Sequence, residues 1–396
     1  MNAPAPPPRL ELSLAEARSI AVAAALPAGG FPDMATALAH LRIVQIDSIN
    51  VLAPAHHLTL TTRIPGTTTK AIDSALNSNG PPIAFDYPAH AIALVPLADW
   101  PLWAFRRRAS RRHPHYPDQR TRTALIDRIT LDGPLPLRHL RTSADTTGTG
   151  WNWNPVKTAV ELLVWSGELT STQRTHGQRL FDLPDRCIPS PYLTDQASDD
   201  ECLTQLLTHA GAVLGVGTTK DLADYLRIPT PLAARLLPTT PLTTVQVEDW
   251  GPAWADPCAL TRPAKPHPEP VFLNPFDNLI WHRPRVQRLF DFTHVFEAYK
   301  PAARRTHGYY VCPLLADGHL IGRADFARHN GALTIQQASL EPHAGPDAAT
   351  TLARSCQSLA AAIGHDRIEL AEGAADPTVT AALRSTCLQT ERTVHP

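Results

Sequence analysis

The sequence lacks any long hydrophobic run. No stretch of about 18 consecutive apolar residues, the length that a membrane-spanning helix needs, occurs among the 396 residues. The first twelve residues, MNAPAPPPRLEL, do not join a basic start to an apolar core as a secretory signal peptide does. Both absences predict a protein that stays in the cytoplasm, with no membrane partner.

Cysteine is scarce, and no two of the six cysteines are in a CxxC spacing. This pattern argues against a zinc ribbon and against a disulfide framework, so we expect free thiols, no bound metal and no cofactor. A glycine-rich dinucleotide or phosphate loop, a GxSxG elbow and an HExxH helix are also missing. The usual signatures of redox enzymes, kinases, esterases and metalloproteases are therefore absent.

The chain has no excess of positive charge, since its formal net charge is −1. Proteins that bind nucleic acid normally carry surplus lysine and arginine. The basic residues are nevertheless clustered, and local patches can meet DNA while acidic surface elsewhere balances the total. A solvated helix face is the alternative explanation. The clusters are Arg106, Arg107, Arg108, Arg111 and Arg112, then Arg283, Arg285 and Arg288, and finally Arg304 and Arg305.

The composition and the order of patterns predict a globular α+β fold built from tandem winged-helix units. Hydrophobic residues make up 43% of the chain and charged residues 18%, which suits several packed cores. A capping box at Ser13–Glu16 and a capping residue at Asp33 begin two helices, and the extended segment Ile43–Ile49 follows. Helices followed by paired strands recur at 124–182 and 200–250. The predicted units are 9–122, 123–195, 196–268 and a C-terminal antiparallel β-barrel or sheet at 269–396.

The C-terminal unit is predicted mainly from alternating apolar residues and from the turn residues between them. The predicted strands are Phe292–Tyr299, Tyr309–Leu314, His319–Asp325 and Ala332–Gln337, followed by a helix at Ala348–Ile363 and a strand at Arg367–Ala371.

The tripeptide Gln45-Ile46-Asp47 is the sharpest chemical feature. On an extended chain Gln45 and Asp47 point to one face, while Val44 and Ile46 turn towards the core. A carboxylate beside an amide can hold a water molecule and accept its proton as that water attacks a glycosidic carbon. Alternatively, Asp47 caps a following turn and Gln45 is merely exposed.

Two further groups are candidates for contacts with DNA. His56 and His57 are adjacent and would point in opposite directions on an extended chain, so they suit phosphate or purine contacts better than a shared metal. Internal hydrogen bonding is the alternative for them. Trp151, Trp153 and Lys157 stand at the start of a predicted helix, whose N-terminus attracts phosphate. The tryptophans would otherwise be core anchors.

Several motifs in a fixed order resemble those of the AlkZ/YcaQ family of DNA glycosylases. The Gln-x-Asp form of the first motif resembles the YcaQ type, which has the broader specificity. The resemblance implies tandem winged-helix motifs around a C-shaped DNA channel, and cleavage of N7-alkylguanine, in some members as interstrand crosslinks. The motifs are Ile43–Val51 continued by Pro54–Leu58 and Arg63, Trp151–Lys157 with Trp165–Leu169, Asn274–Trp281, and Tyr299–Tyr310.

Roles follow from this resemblance. Asp47 would activate water and Gln45 would position it or the sugar. No lysine adjoins either residue, so Schiff-base lyase chemistry is not expected and the product is an abasic site. We expect a monomer, associated with the nucleoid, that acts on double-stranded DNA with alkylated or crosslinked purines. The expected DNA contacts are His56, His57, Arg63, Arg106, Arg107, Arg108, Trp151, Trp153, Lys157, Arg304 and Arg305.

One segment departs from the family pattern. Where relatives resemble Glu-Tyr-Trp-x-His-Glu, this chain has Asp86-Tyr87-Pro88-Ala89-His90-Ala91, so the tryptophan and the second glutamate are missing. If those positions help to hold the lesion, the substrate range differs here. Two other functions remain open at this point: a non-catalytic winged-helix regulator, and a protein that sequesters a genotoxin and confers self-resistance.

Overall fold

The computed structural model describes residues 10–77, 80–140, 155–175, 177–261, 267 and 269–392. Trp151 and Trp153 lie outside these residues. The α-helices are α1 (Leu14–Ala25), α2 (Met34–Leu41), α3 (Ala55–Thr61), α4 (Thr69–Leu76), α5 (Ala104–Ser110), α6 (Gln119–Asp132), α7 (Leu137–Leu140), α8 (Pro155–Ser166), α9 (Pro184–Cys187), α10 (Asp199–Leu214), α11 (Thr219–Leu226), α12 (Thr230–Leu236), α13 (Pro257–Thr261), α14 (Arg283–Phe290), α15 (Ala348–Ala362) and α16 (Pro377–Arg392).

Fifteen strands alternate with these helices in the described part of the chain. They are β1 (Leu10–Leu12), β2 (Val44–Gln45), β3 (Ala84–Tyr87), β4 (Ala93–Pro96), β5 (Leu135–Pro136), β6 (Thr170–Thr175), β7 (Gln178–Asp182), β8 (Val216–Gly217), β9 (Thr243–Val247), β10 (Gly251–Ala255), β11 (Val271–Phe272), β12 (Val311–Ala316), β13 (His319–His329), β14 (Ala332–Leu340) and β15 (Arg367–Leu370).

The first two helices begin where the sequence predicts. The Ser13 hydroxyl accepts a hydrogen bond from the Glu16 N–H, and the Glu16 carboxylate accepts one from the Ser13 N–H. Together these bonds form the capping box of α1. The Asp33 carboxylate accepts from the Thr36 N–H at 2.7 Å and so caps α2. No helix among the described residues is both long and apolar enough to cross a bilayer.

Three small sheets accompany the first 260 residues. Their strand orders are β2-β4-β3, β5-β7-β6 and β1-β9-β10-β8. In the last of these, β1 runs parallel to β9, with Leu10 opposite Val245. The N-terminal strand therefore joins a sheet whose other strands come from residues 216–255. The division into four units stays a prediction.

The C-terminal sheet has the order β11-β12-β13-β14-β15. Neighbouring strands are antiparallel except β14 and β15, which are parallel with Ile335 opposite Leu370. Since β11 and β15 each pair with one neighbour, the sheet is open and mixed, and the expectation of an antiparallel barrel or sheet is corrected accordingly. Helices α15 and α16 supply Leu352 and Val379 to its core.

The strand predicted at Phe292–Tyr299 is wrong. Burial does alternate there, with Phe292 and His294 inside and Val295 exposed, which explains the pattern in the sequence. The backbone, however, pairs with no strand, and the Arg323 guanidinium donates to the Thr293 carbonyl at 2.9 Å. The Thr293 carbonyl thus accepts a hydrogen bond from a side chain and not from the backbone of a neighbouring strand.

Two hydrophobic cores meet at the segment 43–53. Ile43 and Val44 belong to a core that also includes residues from α10, α11 and α12. Leu52 and Ala53 instead pack with the C-terminal sheet and α15. Asp47 lies in the short stretch between these two cores, so its position depends on parts of the chain that are distant in sequence.

Candidate active site

A short strand holds the Gln45-Ile46-Asp47 segment against β4. Gln45 is opposite Ala93, and the Ile46 N–H donates to the Ile92 carbonyl at 2.8 Å. Val44 is fully buried and Ile46 packs against the same core. The extended backbone predicted for this tripeptide is confirmed, although the regular strand ends at Gln45.

The side chains of Gln45 and Asp47 lie together on one face. The Gln45 amide Nε2 is 3.4 Å from Asp47 Oδ2, while Asp47 Oδ1 accepts from the Ile49 N–H at 2.8 Å. Asp47 therefore does close a local turn, as the alternative interpretation holds, but Gln45 is buried rather than exposed. One carboxylate oxygen is fixed by backbone, and the other has only the long contact with an amide among the described residues.

The motif at 274–281 clamps the backbone that leads into the site. Asn278 Nδ2 donates to the Ile43 carbonyl at 2.7 Å and to the Tyr225 hydroxyl at 2.6 Å. That hydroxyl donates to the Leu41 carbonyl, also at 2.6 Å. Buried hydrogen bonds of this kind restrict the backbone they hold to one geometry, although the Asn278 Oδ1 has no partner among the described residues. Through these hydrogen bonds the motif positions the backbone at Leu41 and Ile43, which leads into Gln45 and Asp47.

Tyr310 is a polar residue of the site that the sequence does not identify. Its ring is buried with Leu52 and Ala53, and its hydroxyl has no hydrogen-bond partner among the described residues. Burial raises the pKa of Tyr310 well above its ordinary value, and Cys312 and the charge of Asp47 act in the same direction. The hydroxyl is therefore a neutral donor, buried in the core that also holds Leu52 and Ala53 from the segment after Asp47.

Arg63 has a structural role rather than the predicted contact with DNA. Its side chain is fully buried, and its two terminal nitrogens donate to the Asp277 carboxylate at 2.6 and 2.8 Å. The remaining donors reach the carbonyls of Ala25 and Thr59 and the Thr62 hydroxyl, each at 3.0 Å. No guanidinium surface is left for a phosphate.

The histidine pair is also interior, which corrects two expectations. Pro54 begins α3, so His56 and His57 are on a helix and not on an extended chain. Both side chains are buried, and His57 Nε2 lies 3.8 Å from the exposed Asp73 carboxylate. Burial lowers the pKa of His57 to about 4 and that of His56 well below its ordinary value. These neutral, enclosed rings do not form a cationic surface for DNA.

The arginines of the cluster on α5 already form hydrogen bonds and ion pairs within the protein. Arg107 is buried and donates to the Trp100 carbonyl at 2.5 Å, so it is not a DNA contact. Arg106 donates to four backbone carbonyls, among them that of Leu226 at 2.7 Å. Arg108 forms ion pairs with two aspartates, Asp195 and Asp199. Contact between DNA and these last two arginines would compete with existing interactions.

The remaining predicted DNA contacts lie at the surface. Lys157 is exposed in the first turn of α8. Arg304 is exposed, and Arg305 is half-buried with its guanidinium carbon 4.9 Å from the centre of the Tyr309 ring. In the same segment the Tyr299 side chain is 83% exposed. Aromatic and cationic groups displayed together are what single-stranded or distorted DNA contacts.

Two carboxylates hold this segment, residues 297–310, in place. Glu297 accepts from the N–H groups of Thr306 at 2.9 Å and His307 at 2.8 Å, and pairs with Lys300. Although burial opposes it, these donors lower the pKa of Glu297 to about 2. Asp325 accepts from the N–H groups of the two residues at the other end, Tyr309 and Tyr310. The segment is thus an ordered loop whose end at Tyr310 is buried in the core that includes Leu52 and Ala53.

Comparison with known proteins agrees with this architecture. The model of the family described as DNA glycosylase AlkZ-like matches residues 38–363. The chain belongs to the AlkZ-like DNA glycosylase family. The matched residues include Gln45, Asp47 and the loop 297–310, and end just after α15.

The structure of the Streptomyces sahachiroi DNA glycosylase AlkZ is similar to this one. The two align with a TM-score of 0.64 and 14% sequence identity, over 91% of this chain and 100% of that chain. At this identity the likeness concerns the fold. It covers the mixed α and β architecture almost from end to end.

The segment that departs from the AlkZ-like pattern is only partly buried. Asp86 pairs with Arg174, and the Tyr87 hydroxyl donates to the Trp165 carbonyl at 3.0 Å. His90 stacks on Trp281 with the ring centres 3.8 Å apart. These three side chains are buried, whereas the positions that lack the tryptophan and the second glutamate, Pro88 and Ala91, are half-buried and exposed.

The described residues contain no group of three or more histidine, cysteine, aspartate or glutamate side chains that could hold a metal ion.

Proposed function

We propose that this AlkZ-like protein is a monofunctional glycosylase, acting as a monomer, that hydrolyses the N-glycosidic bond of N7-alkylated purines in double-stranded DNA. The observation that carries the proposal is the Asp47 carboxylate, with Oδ1 fixed by the Ile49 N–H and Oδ2 facing the Gln45 amide. An oriented carboxylate beside an amide is what a directed water molecule requires.

The chemistry needs little more than this pair. Alkylation at N7 gives guanine a positive charge, so the base leaves as a neutral molecule when the bond from its N9 to C1′ breaks. The oxygen of water bonds to C1′, and the proton passes to Asp47. The same carboxylate stabilises the oxocarbenium-like sugar before the water attacks. No step requires an amine, and an intact abasic site is the product.

Tyr310 has a supporting role in this proposal. Its buried hydroxyl has no hydrogen-bond partner among the residues that the structure describes, and leaving a polar group unpaired is costly. A water molecule or a sugar oxygen brought to Asp47 would offer that hydroxyl an acceptor. Tyr310 would then orient the attacking water together with Gln45.

Replacement of Tyr310 by phenylalanine is expected to slow base release by roughly tenfold, the effect of one hydrogen bond to a charged or developing ionic group. Because the lost hydroxyl has no partner, the free energy of unfolding should stay constant or rise, and the affinity for DNA should not change. Single-turnover release of 7-methylguanine and thermal unfolding measure the two effects. Tyr192→Phe, at a half-buried tyrosine outside the site, is the matched control, and an equal rate for Tyr310→Phe and the parent would exclude this role.

We also propose tandem winged-helix motifs around a C-shaped DNA channel. The succession of α6, α7 and α8 before the β6–β7 hairpin, and of α10, α11 and α12 before β9–β10, supports this arrangement. Lys157 and Arg304 would contact phosphates, and Arg305 would also contact the DNA. Ser48, next to Asp47, is exposed. An open channel would suit crosslinked bases, which cannot rotate into a closed pocket.

The direct test is incubation of the purified protein with duplex DNA containing a single 7-methylguanine, followed by alkali. We expect free modified base and strand breaks that appear only after alkali. Breaks without alkali would contradict the monofunctional mechanism. Intact DNA that is nevertheless bound would indicate a regulator, and binding of the free alkylating agent without DNA would indicate a sequestering protein.

A further inference from the structure

A cleft of about 470 Å³ lies between the loop 297–310 and the strands β13 and β14. This volume is within the range of pockets that bind small organic groups. Arg305 and Tyr309 form one wall, and Gln336 and Gln337 line the other. The cleft does not include Gln45 or Asp47, so it is distinct from the proposed catalytic pair.

A β-bulge presents the two glutamines. Asp325 is opposite Gln337 and Phe326 is opposite Ile335, which leaves Gln336 as the extra residue in β14. Both glutamine side chains are exposed. Bulges of this kind re-aim side chains beside functional sites. The Gln336 amide offers a donor and an acceptor together, which is the pattern that matches the edge of a nucleobase, and the Gln337 amide, whose Nε2 donates to the Thr306 carbonyl at 3.4 Å, offers its oxygen as an acceptor.

The opposite wall is a surface on which a base can stack. Tyr309 is partly exposed, and the Arg305 guanidinium carbon lies 4.9 Å from its ring centre. The Arg305 Nε is held by the Lys300 carbonyl at 3.0 Å. Stacking on aromatic rings with a nearby arginine is the common way in which proteins hold unpaired bases.

The backbone of this wall is rigid. Asp325 Oδ2 accepts from the Tyr309 N–H at 3.0 Å, and Oδ1 accepts from the Tyr310 N–H at 2.6 Å. Gly308 has φ +129°, and a Cβ there would lie 2.1 Å from Asp325 Oδ2. Only glycine fits this contact, so Gly308 allows the loop to lie directly against Asp325.

The charges of the cleft favour a base over a phosphate. Arg305 is the cationic group that lines it, and the Asp325 carboxylate lines it too. A phosphate would meet a negative charge at short range, whereas a base can accept from the glutamine amides and donate to a carboxylate.

The cleft is linked to the segment that carries Asp47. Val51, four residues after Asp47, lines it, and Arg328 Nε of β13 donates to the Val51 carbonyl at 2.8 Å. We propose that the cleft binds an unpaired nucleobase of the damaged duplex. This inference rests on the proposed glycosylase function. The base comes either from the position opposite the lesion or from the neighbouring position in the same strand.

The experiment uses stable duplexes with an abasic-site analogue, so that no catalysis is needed. Fluorescent 2-aminopurine is placed opposite the analogue in one duplex and beside it in another, and a fully paired duplex is the control. We expect the wild-type protein to change the fluorescence of one of the two, which identifies the source of the base. Gln336→Ala combined with Gln337→Ala should weaken binding of that duplex by roughly tenfold.

Gln196→Ala, an exposed glutamine outside the cleft, is the matched control and should behave as wild type. Tyr309→Leu is a second variant that removes the stacking surface, and thermal unfolding confirms that each variant is folded. The cleft proposal is overturned if neither probe responds to the wild-type protein, or if the double variant responds equally. Because excision of 7-methylguanine is measured separately, a protein that binds the base but releases none would refute the proposed function alone.

Discussion

Asp47→Asn is expected to lower the rate of 7-methylguanine release by roughly tenfold or more, the usual effect of removing a general base. Asparagine keeps the shape of the side chain, and its oxygen can still accept from the Ile49 N–H, so the turn should be preserved. What is lost is the negative charge that stabilises the sugar cation and takes the proton from water.

Single-turnover kinetics on methylated and on crosslinked DNA measure this effect, with fluorescence anisotropy for binding. Affinity should be retained or improved, because a negative charge near the DNA backbone has been removed. Asp317→Asn is a matched control, since Asp317 is exposed in the turn between β12 and β13. If Asp47→Asn releases the modified base as fast as the parent, Asp47 is not the catalytic base.

Arg63→Met is expected to lower the free energy of unfolding by about 3 to 5 kcal/mol, because it leaves the Asp277 carboxylate buried without its partner. The side chains of both residues are fully inaccessible, and the pair joins α3 to the motif at 274–281. Loss of this link should also disturb the backbone that leads to Asp47, and activity should fall together with stability. Chemical unfolding followed by circular dichroism measures the change.

A double variant separates the ion pair from other effects of the substitution. Combining Arg63→Met with Asp277→Asn should recover part of the lost stability, since no lone charge then remains inside. Arg304→Met, at an exposed position, should change stability by less than about 0.5 kcal/mol and weaken DNA binding. If the Arg63→Met protein were as stable as the parent but failed to bind DNA, Arg63 would be a DNA contact, as the sequence predicts.

Local features of the fold could be predicted from the sequence because their causes are local. The capping box at Ser13 and the cap at Asp33 involve residues three positions apart, and both are present. The extended segment around Gln45 was likewise predictable from alternation, because period-two burial reflects a pleated backbone. The same alternation gave a wrong strand prediction at 292–299. No strand pairs with that segment, and the Arg323 side chain of β13 donates to the Thr293 carbonyl instead.

The order of motifs determined the family, and the Gln-x-Asp spacing determined that an amide and a carboxylate share a face. Only the tertiary structure decided which charged residues are available. Arg63, Arg107 and Arg304 are all predicted from the sequence to contact DNA. In the structure Arg63 and Arg107 are buried, and Arg304 is exposed. Burial depends on contacts between residues far apart in the chain, such as Arg63 with Asp277, and Tyr310 with the Asp47 segment. A linear pattern carries no information on such pairs.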